Sequence, residues 1–122
     1  MVPGTATVVL AEVETADSLH TPRSPCCSLY HRAVELVGRR WTGAILIVML
    51  EGPVRFSEIR QLVPDLSDRL LSERLKELEG ENIVARRQDC DSPSCVKYEL
   101  TQKGQALEPA VRALKTWAHE YS

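Results

Sequence analysis

Residues 56–79 read FSEIRQLVPDLSDRLLSERLKELE, two short helical patterns separated by a proline and by a serine placed to cap the second. In the first pattern Phe56, Ile59 and Leu62 recur at three-residue steps, Ser57 and Glu58 stand near its start, and Pro64 stops it. The second opens at Ser67, the best cap candidate in the chain, because its hydroxyl can accept an amide hydrogen bond from the first helical turn. Leu71, Leu75 and Leu78 then fall at i, i+4 and i+7. That spacing turns one stripe inward and leaves Asp68, Arg69, Ser72, Glu73 and Lys76 facing out, until Gly80 and Asn82 close the helix. Phe56, Ile59, Leu62, Leu71, Leu75 and Leu78 are therefore expected to hold the two helices on a common core.

Two helices are predicted upstream. Leu29, Ala33, Leu36 and Val37 follow helical spacing up to Gly38, a plausible C-terminal cap. Trp41 and Thr42 then open the stretch from Ala44 to Leu50, which has so little polar face that it reads as a buried central helix, ended by Gly52 and Pro53. Downstream, residues 83–101 read as a hairpin. Val96, Tyr98 and Leu100 alternate, and Asp91-Ser92-Pro93-Ser94 supplies a four-residue turn that sets Cys90 opposite Cys95 and Arg86 opposite Glu99. Thr101 can cap a last helix that Pro109 kinks or restarts, with Leu107, Val111, Leu114, Trp117 or Ala118, and Tyr121 as its apolar stripe.

At 122 residues the chain has the length of one domain, able to remove roughly two-thirds of its unfolded surface from water. No apolar run approaches the about 20 residues that span a bilayer. The formal charge is −2. Glu12, Glu14 and Asp17 against Arg23 place all of it in the first 24 residues, so any basic face must be local. Those residues read as a flexible arm, with the folded domain over 25–122. The N-terminal stretch lacks the cationic region and cleavage-type end of a secretory signal, so the expected compartment is the cytoplasm, where thiols are kept reduced. A bridge among the four cysteines would there be a switch rather than a structural staple.

Three helices, the last two joined by a tight Pro-Asp-Leu turn, followed by a two-stranded ribbon, make the order of a winged helix-turn-helix. The fold class is α+β and mainly helical. A capped helix of this kind presents its N-terminal side chains to base edges in the major groove, while its predecessor crosses the backbone and the ribbon reaches phosphates or the minor groove.

At these residues the sequence also resembles the HxlR-type family of bacterial transcriptional regulators. The matches are Cys27, Gly38 to Thr42 (GRRWT), Gly52 to Glu58 (GPVRFSE), Leu66 to Glu79 (LSDRLLSERLKELE) and Val96 to Gly104 (VKYELTQKG). They are collinear, and the resemblance covers residues 26 to about 121. The resemblance implies a homodimer, held by its N- and C-terminal helices, that binds a roughly palindromic operator as a repressor or activator. The Leu114, Trp117 and Tyr121 stripe independently reads as an apolar face in want of a partner, and Val111 and Ala118 complete the expected dimerisation surface. Such a dimer would set two recognition helices roughly 34–36 Å apart, one DNA turn.

Arg69, two residues after the proposed cap, is placed to reach a guanine edge or a phosphate; its plain alternative is a surface pair with Asp65 or Glu73. Ser72, Glu73 and Lys76 lie on the same outward face, Glu73 able to accept from a cytosine amino group. Arg55 precedes the third helix, and Ser57 is expected both to cap that helix and to meet a phosphate. Arg86, Arg87 and Lys97 cluster on the ribbon, where phosphate contacts would make affinity salt-dependent. Ser67 completes the candidate DNA-binding set. Trp41 and Phe56 read as core anchors. His20, His31 and His119 stand far apart, and no nucleophile triad, phosphate loop or paired-carboxylate motif is present, so an enzyme has little support and no cofactor is implied.

The redox candidates are Cys26, Cys27, Cys90 and Cys95. In the family a cysteine near the position of Cys27 sometimes senses oxidants or electrophiles; the alternative is an inert buried thiol. Cys90 and Cys95 depart from the usual wing: in the predicted register they are near enough to bridge, and a one-residue slip separates them. Neither cysteine pair has the common zinc-ligand spacing, so no metal is assigned. A rival of another class is a protein-interaction winged helix that binds no specific DNA, which the neutral domain charge leaves open.

Overall fold

The computed structural model describes residues 23–25 and 27–122. The expected arm up to residue 22, and Cys26, lie outside the described residues. The chain divides into compact units after His31. In the first, residues 23–25 carry no regular structure and Cys27 leads into helix α1 (Ser28–Val37), where the His31 N–H donates to the Cys27 carbonyl at 3.0 Å. The second unit, Arg32–Ser122, holds the rest of α1, then α2 (Thr42–Met49), α3 (Phe56–Leu62), α4 (Asp68–Gly80), β1 (Val84–Gln88), a 3-10 turn at Pro93–Cys95, β2 (Val96–Leu100), α5 (Gln102–Gln105) and α6 (Glu108–Tyr121). This is the mainly helical α+β order read from the sequence. Among the described residues no helix is long and apolar enough to cross a membrane.

The core forms where the apolar faces of α2, α3, α4, the wing strands and the start of α6 converge. Ile45, Leu46 and Met49 of α2 meet Ile59, Leu66, Leu71, Leu75, Leu78, Ile83, Val84, Leu100 and Val111. The i, i+4, i+7 stripe of α4 is buried as its spacing requires, and Trp41 and Phe56 pack against this core half-buried. Leu62 does not join it: the residue is 65% exposed, because α3 ends there and the descending turn drops Val63 and Leu66 into the core in its place. The α1 stripe is likewise only half realised. Leu36 and Val37 pack on the core, whereas Leu29 and Ala33 are exposed.

Local chemistry explains the joints. A Cβ at Gly38 would stand 2.7 Å from the Val34 carbonyl oxygen, so the end of α1 needs glycine there. Trp41, which precedes α2, holds a left-handed backbone at φ 75°, a conformation that costs a side-chain-bearing residue on the order of 1 kcal/mol or more and persists only when its surroundings impose it. Ser67 accepts the Leu70 N–H at 3.1 Å, which makes it the N-cap of α4, and Thr101 accepts the Gly104 N–H at 3.1 Å to cap α5. The last helix restarts at Glu108–Pro109, as expected from a proline that donates no hydrogen bond and fits the first turn.

The wing departs from prediction by one residue. Its register pairs Ala85 with Glu99 and Arg86 with Tyr98, so Arg86 does not face Glu99; Arg87 does the pairing, with Nη1 3.0 Å from the Glu99 carboxylate. The connection is also longer than four residues, running over 89–95 with the 3-10 turn inside it. That curl brings Cys90 and Cys95 together although the ladder alone would set them out of register: they form a disulfide with Cα atoms 5.6 Å apart, within the usual span.

Candidate nucleic-acid interface

Helix α4 enters from a cap that leaves its first turn open to solvent. Asp68, Arg69, Ser72, Glu73 and Lys76 are all exposed along one face, the Arg69 side chain 89% exposed. The Arg69 Nε lies 3.2 Å from Glu73 Oε2, one turn on, so the plain surface pair coexists with a guanidinium free to swing outward. Exposed i, i+4 pairs stabilise by about 0.3–0.5 kcal/mol, little enough for a phosphate or a guanine edge to replace the carboxylate. Arg60 of α3 forms an ion pair with Asp68, which fastens the preceding helix to the first turn of α4.

The second part of the interface is built by a contact that no periodicity announced. Val54, just before α3, makes a single antiparallel bridge to β2: its N–H donates to the Tyr98 carbonyl at 2.9 Å, and its carbonyl accepts back from the Tyr98 N–H at 2.8 Å. Since Tyr98 is also the partner of Arg86, the three residues Val54, Tyr98 and Arg86 lie in one row across the ribbon. The bridge therefore seats the start of α3 beside the wing. The result is an open cleft lined by Arg55, Phe56 and Ser57 on one side and by Arg86, Val96, Tyr98 and the tip residues Pro93 and Ser94 on the other. One bridging residue has no alternation to detect, which is why the sequence did not reveal it.

Ser57 holds the second position of α3 and makes no cap bond; the capping role passes to Glu58, whose carboxylate accepts the Arg55 N–H at 2.8 Å. The helix starts two residues earlier than a Ser57 cap requires. That backbone hydrogen bond, helped by the Arg55 guanidinium and more weakly by Lys97, holds the Glu58 carboxyl below its ordinary value. Ser57 is left with an exposed hydroxyl between Arg55 and Arg86. On the wing, Arg87 stands directly opposite Lys97, a repulsive arrangement across a strand pair, and Asp89 and Glu99 each approach Arg87 to 3.0 Å to offset it. Arg86 makes no ion pair among the described residues.

A buried charge behind this surface also escaped the sequence reading. Arg74 is only 7% exposed, and its Nε donates to the Arg40 carbonyl at 2.9 Å. Its Nη1 lies 3.3 Å from Glu77, which also pairs with Arg39 at 3.3 Å. The available signal was positional: Arg74 sits between Leu71, Leu75 and Leu78 on the inward side of α4.

The expected dimerisation set divides. Val111 is buried within the chain, in the core that α6 shares with α2, and so does not belong to an exposed face. Leu114, Trp117 and Tyr121 are exposed, the last two with ring centroids 5.9 Å apart, and Ala118 is half-buried. Beyond Val111 the helix contributes no buried residue. Of the redox candidates, Cys27 is exposed just before α1, and Cys90 and Cys95 are joined at the wing tip.

The comparisons with known proteins agree with this geometry. The model of the HxlR-like helix-turn-helix family matches residues 36–122. The HTH-type transcriptional regulator YvaP of Bacillus subtilis is 42% identical over 99 residues, 81% of this chain and 92% of its own. Among solved structures, quinone-bound YodB of B. subtilis is 40% identical with a TM-score of 0.68, covering 79% of this chain and all of that one. The redox regulator HypR in its reduced form is 34% identical with a TM-score of 0.72, covering 76% and 92%. The protein belongs to the HxlR-like helix-turn-helix family of transcriptional regulators.

Proposed function

We propose that this DNA-binding regulator works as a homodimer, reads base edges with Arg69, Ser72 and Glu73 at the start of α4, and holds flanking phosphates with Arg55, Ser57, Arg86, Arg87, Lys76 and Lys97. The observation that carries the reading is the convergence of Arg55, Ser57 and Arg86 on one cleft beside a capped, exposed helix. Two guanidiniums and a hydroxyl around an open concavity match the donors that position a duplex through its phosphates. The carboxylates beside Arg69 and Arg87 do not oppose this, since exposed pairs contribute about 0–1 kcal/mol and exchange readily for phosphate. The apolar triplet Leu114, Trp117 and Tyr121 supports assembly of two copies through α6, which would present two α4 helices to successive turns of the groove. Cys27, exposed before α1, is the residue through which this chain would share the redox response that the name of HypR records.

Selection of bound duplexes from genomic fragments tests the reading. Wild-type protein should enrich sequences with a roughly two-fold repeat, and Arg69→Ala should lose that enrichment while keeping its circular dichroism and Tm. A protein-interaction module predicts no enrichment by either.

A further inference from the structure

The wing tip carries a covalent feature that DNA reading does not require. Cys90 and Cys95 close a six-residue ring that contains Pro93 and Ser94, the two tip residues lining the phosphate cleft. Apart from that bond, the tip beyond the last rung at Gln88 and Val96 rests on short local contacts. These include Asp89 N–H to the Cys95 carbonyl at 3.3 Å, Cys95 N–H to the Ser92 carbonyl at 2.9 Å, Ser94 N–H to the Ser92 hydroxyl at 3.2 Å, Val96 N–H to the Pro93 carbonyl, the Ser92 and Ser94 hydroxyls at 2.9 Å, and the Arg87–Asp89 ion pair at 3.0 Å. Cys90 is exposed and Cys95 half-buried, so one sulfur is open to a small reagent while its partner sits within reach.

We propose that Cys90 and Cys95 form a reversible thiol–disulfide site whose oxidised state orders the wing tip and tightens DNA binding, a proposal that rests on the DNA-binding reading above. A DNA-binding regulator works where thiols are kept reduced, so this bond marks an oxidised state rather than a permanent staple. The co-reactant is a low-molecular-weight disulfide. The Cys90 thiolate attacks one of its sulfurs, the S–S bond of the reagent breaks, and one thiol leaves with a proton. The Cys95 thiolate then attacks the mixed disulfide, forming the Cys90–Cys95 bond and releasing the second thiol. Two electrons pass from the protein to the reagent, and a dithiol reverses both steps. Oxidation leaves Pro93 and Ser94 fixed against Arg86 and Tyr98. Reduction frees the ring, and the cleft wall must then be ordered at the moment of binding.

The site is isolated by Cys26→Ser/Cys27→Ser, which confines redox chemistry to the wing in the full chain. This variant is equilibrated with oxidised glutathione or with dithiothreitol. It is followed by intact mass, by amide hydrogen exchange over residues 89–96, and by affinity for a duplex selected from random sequence. Oxidation should remove two hydrogens, slow exchange at the tip and raise affinity by about three- to tenfold, the range expected from ordering one or two side chains in advance. Cys90→Ser/Cys95→Ser with Cys26 and Cys27 intact should lose the mass change at the wing and the tip protection. A stable mixed disulfide with glutathione in place of the internal bond, or equal exchange and equal affinity in both states, overturns the proposal. Absence of duplex binding in both states sinks the DNA-binding reading and the affinity claim with it. Amide exchange distinguishes that failure from failure of the switch, because it shows on its own whether the bond orders the tip.

Discussion

Arg74 Nε donates to the Arg40 carbonyl oxygen at 2.9 Å, so a single buried side chain ties helix α4 to the corner between α1 and α2. Arg40 in turn lays its guanidinium carbon 5.4 Å from the centre of the Trp41 ring, and Trp41 holds the left-handed backbone on which α2 begins. Removing the donor takes a part-buried hydrogen bond from that carbonyl and deprives Glu77 of one of its two cations. Arg74→Ala should therefore destabilise the fold by about 1–3 kcal/mol. Arg74→Lys should recover only part of this, since an ammonium cannot serve Arg40 and Glu77 with the planar geometry of a guanidinium. Urea denaturation of the two variants measures both effects.

Arg69 should matter to DNA and not to the fold. Its side chain pairs with Glu73, on the surface. Arg69→Ala should leave Tm within a degree or two and cost roughly 1–3 kcal/mol of affinity for the preferred duplex. An unchanged affinity in fluorescence anisotropy would remove the residue from the interface.

Arg86→Ala and Arg55→Ala should weaken binding to all sequences alike. Each should lower the slope of log affinity against log salt by about one, as loss of one phosphate contact requires. A titration at several salt concentrations that returned the wild-type slope would place the cleft outside the duplex contact.

The two ends of the α6 stripe should behave oppositely. Val111→Ala, inside the subunit core, should destabilise by roughly 1.5 kcal/mol from the apolar atoms withdrawn from burial. Trp117→Ala combined with Leu114→Ala alters exposed side chains, so the subunit should stay folded while sedimentation shifts from dimer to monomer.

Glu58 predicts a pH dependence of definite sign. Its folded carboxyl lies below the ordinary value through the Arg55 N–H first and then the neighbouring cations, so its contribution is complete above the unfolded pKa and is lost as pH falls through the folded one. Wild type should exceed Glu58→Gln in thermal stability above the ordinary glutamate range, and the gap should narrow as pH falls through the lowered folded value.

The elements themselves were legible from local rules. Ser67 as cap, the Leu71, Leu75 and Leu78 stripe and the Pro109 restart all rest on interactions within a few residues, and each formed where its pattern lies, whereas the wing strands formed one residue out of the expected register. Arg69, Ser72 and Glu73 were placed outward by the same arithmetic, because the inward leucines leave them no other side. Chain-distant contacts decided the rest. The bridge from Val54 to Tyr98 gathers Arg55, Ser57 and Arg86, although more than forty residues separate Val54 from Tyr98 and a single rung has no periodicity. The curl of the wing tip, not its ladder, brought Cys90 to Cys95. Leu62, Val111 and Arg74 share one lesson: a helical stripe says which residues align, but only the position of the neighbouring elements says where along it burial stops.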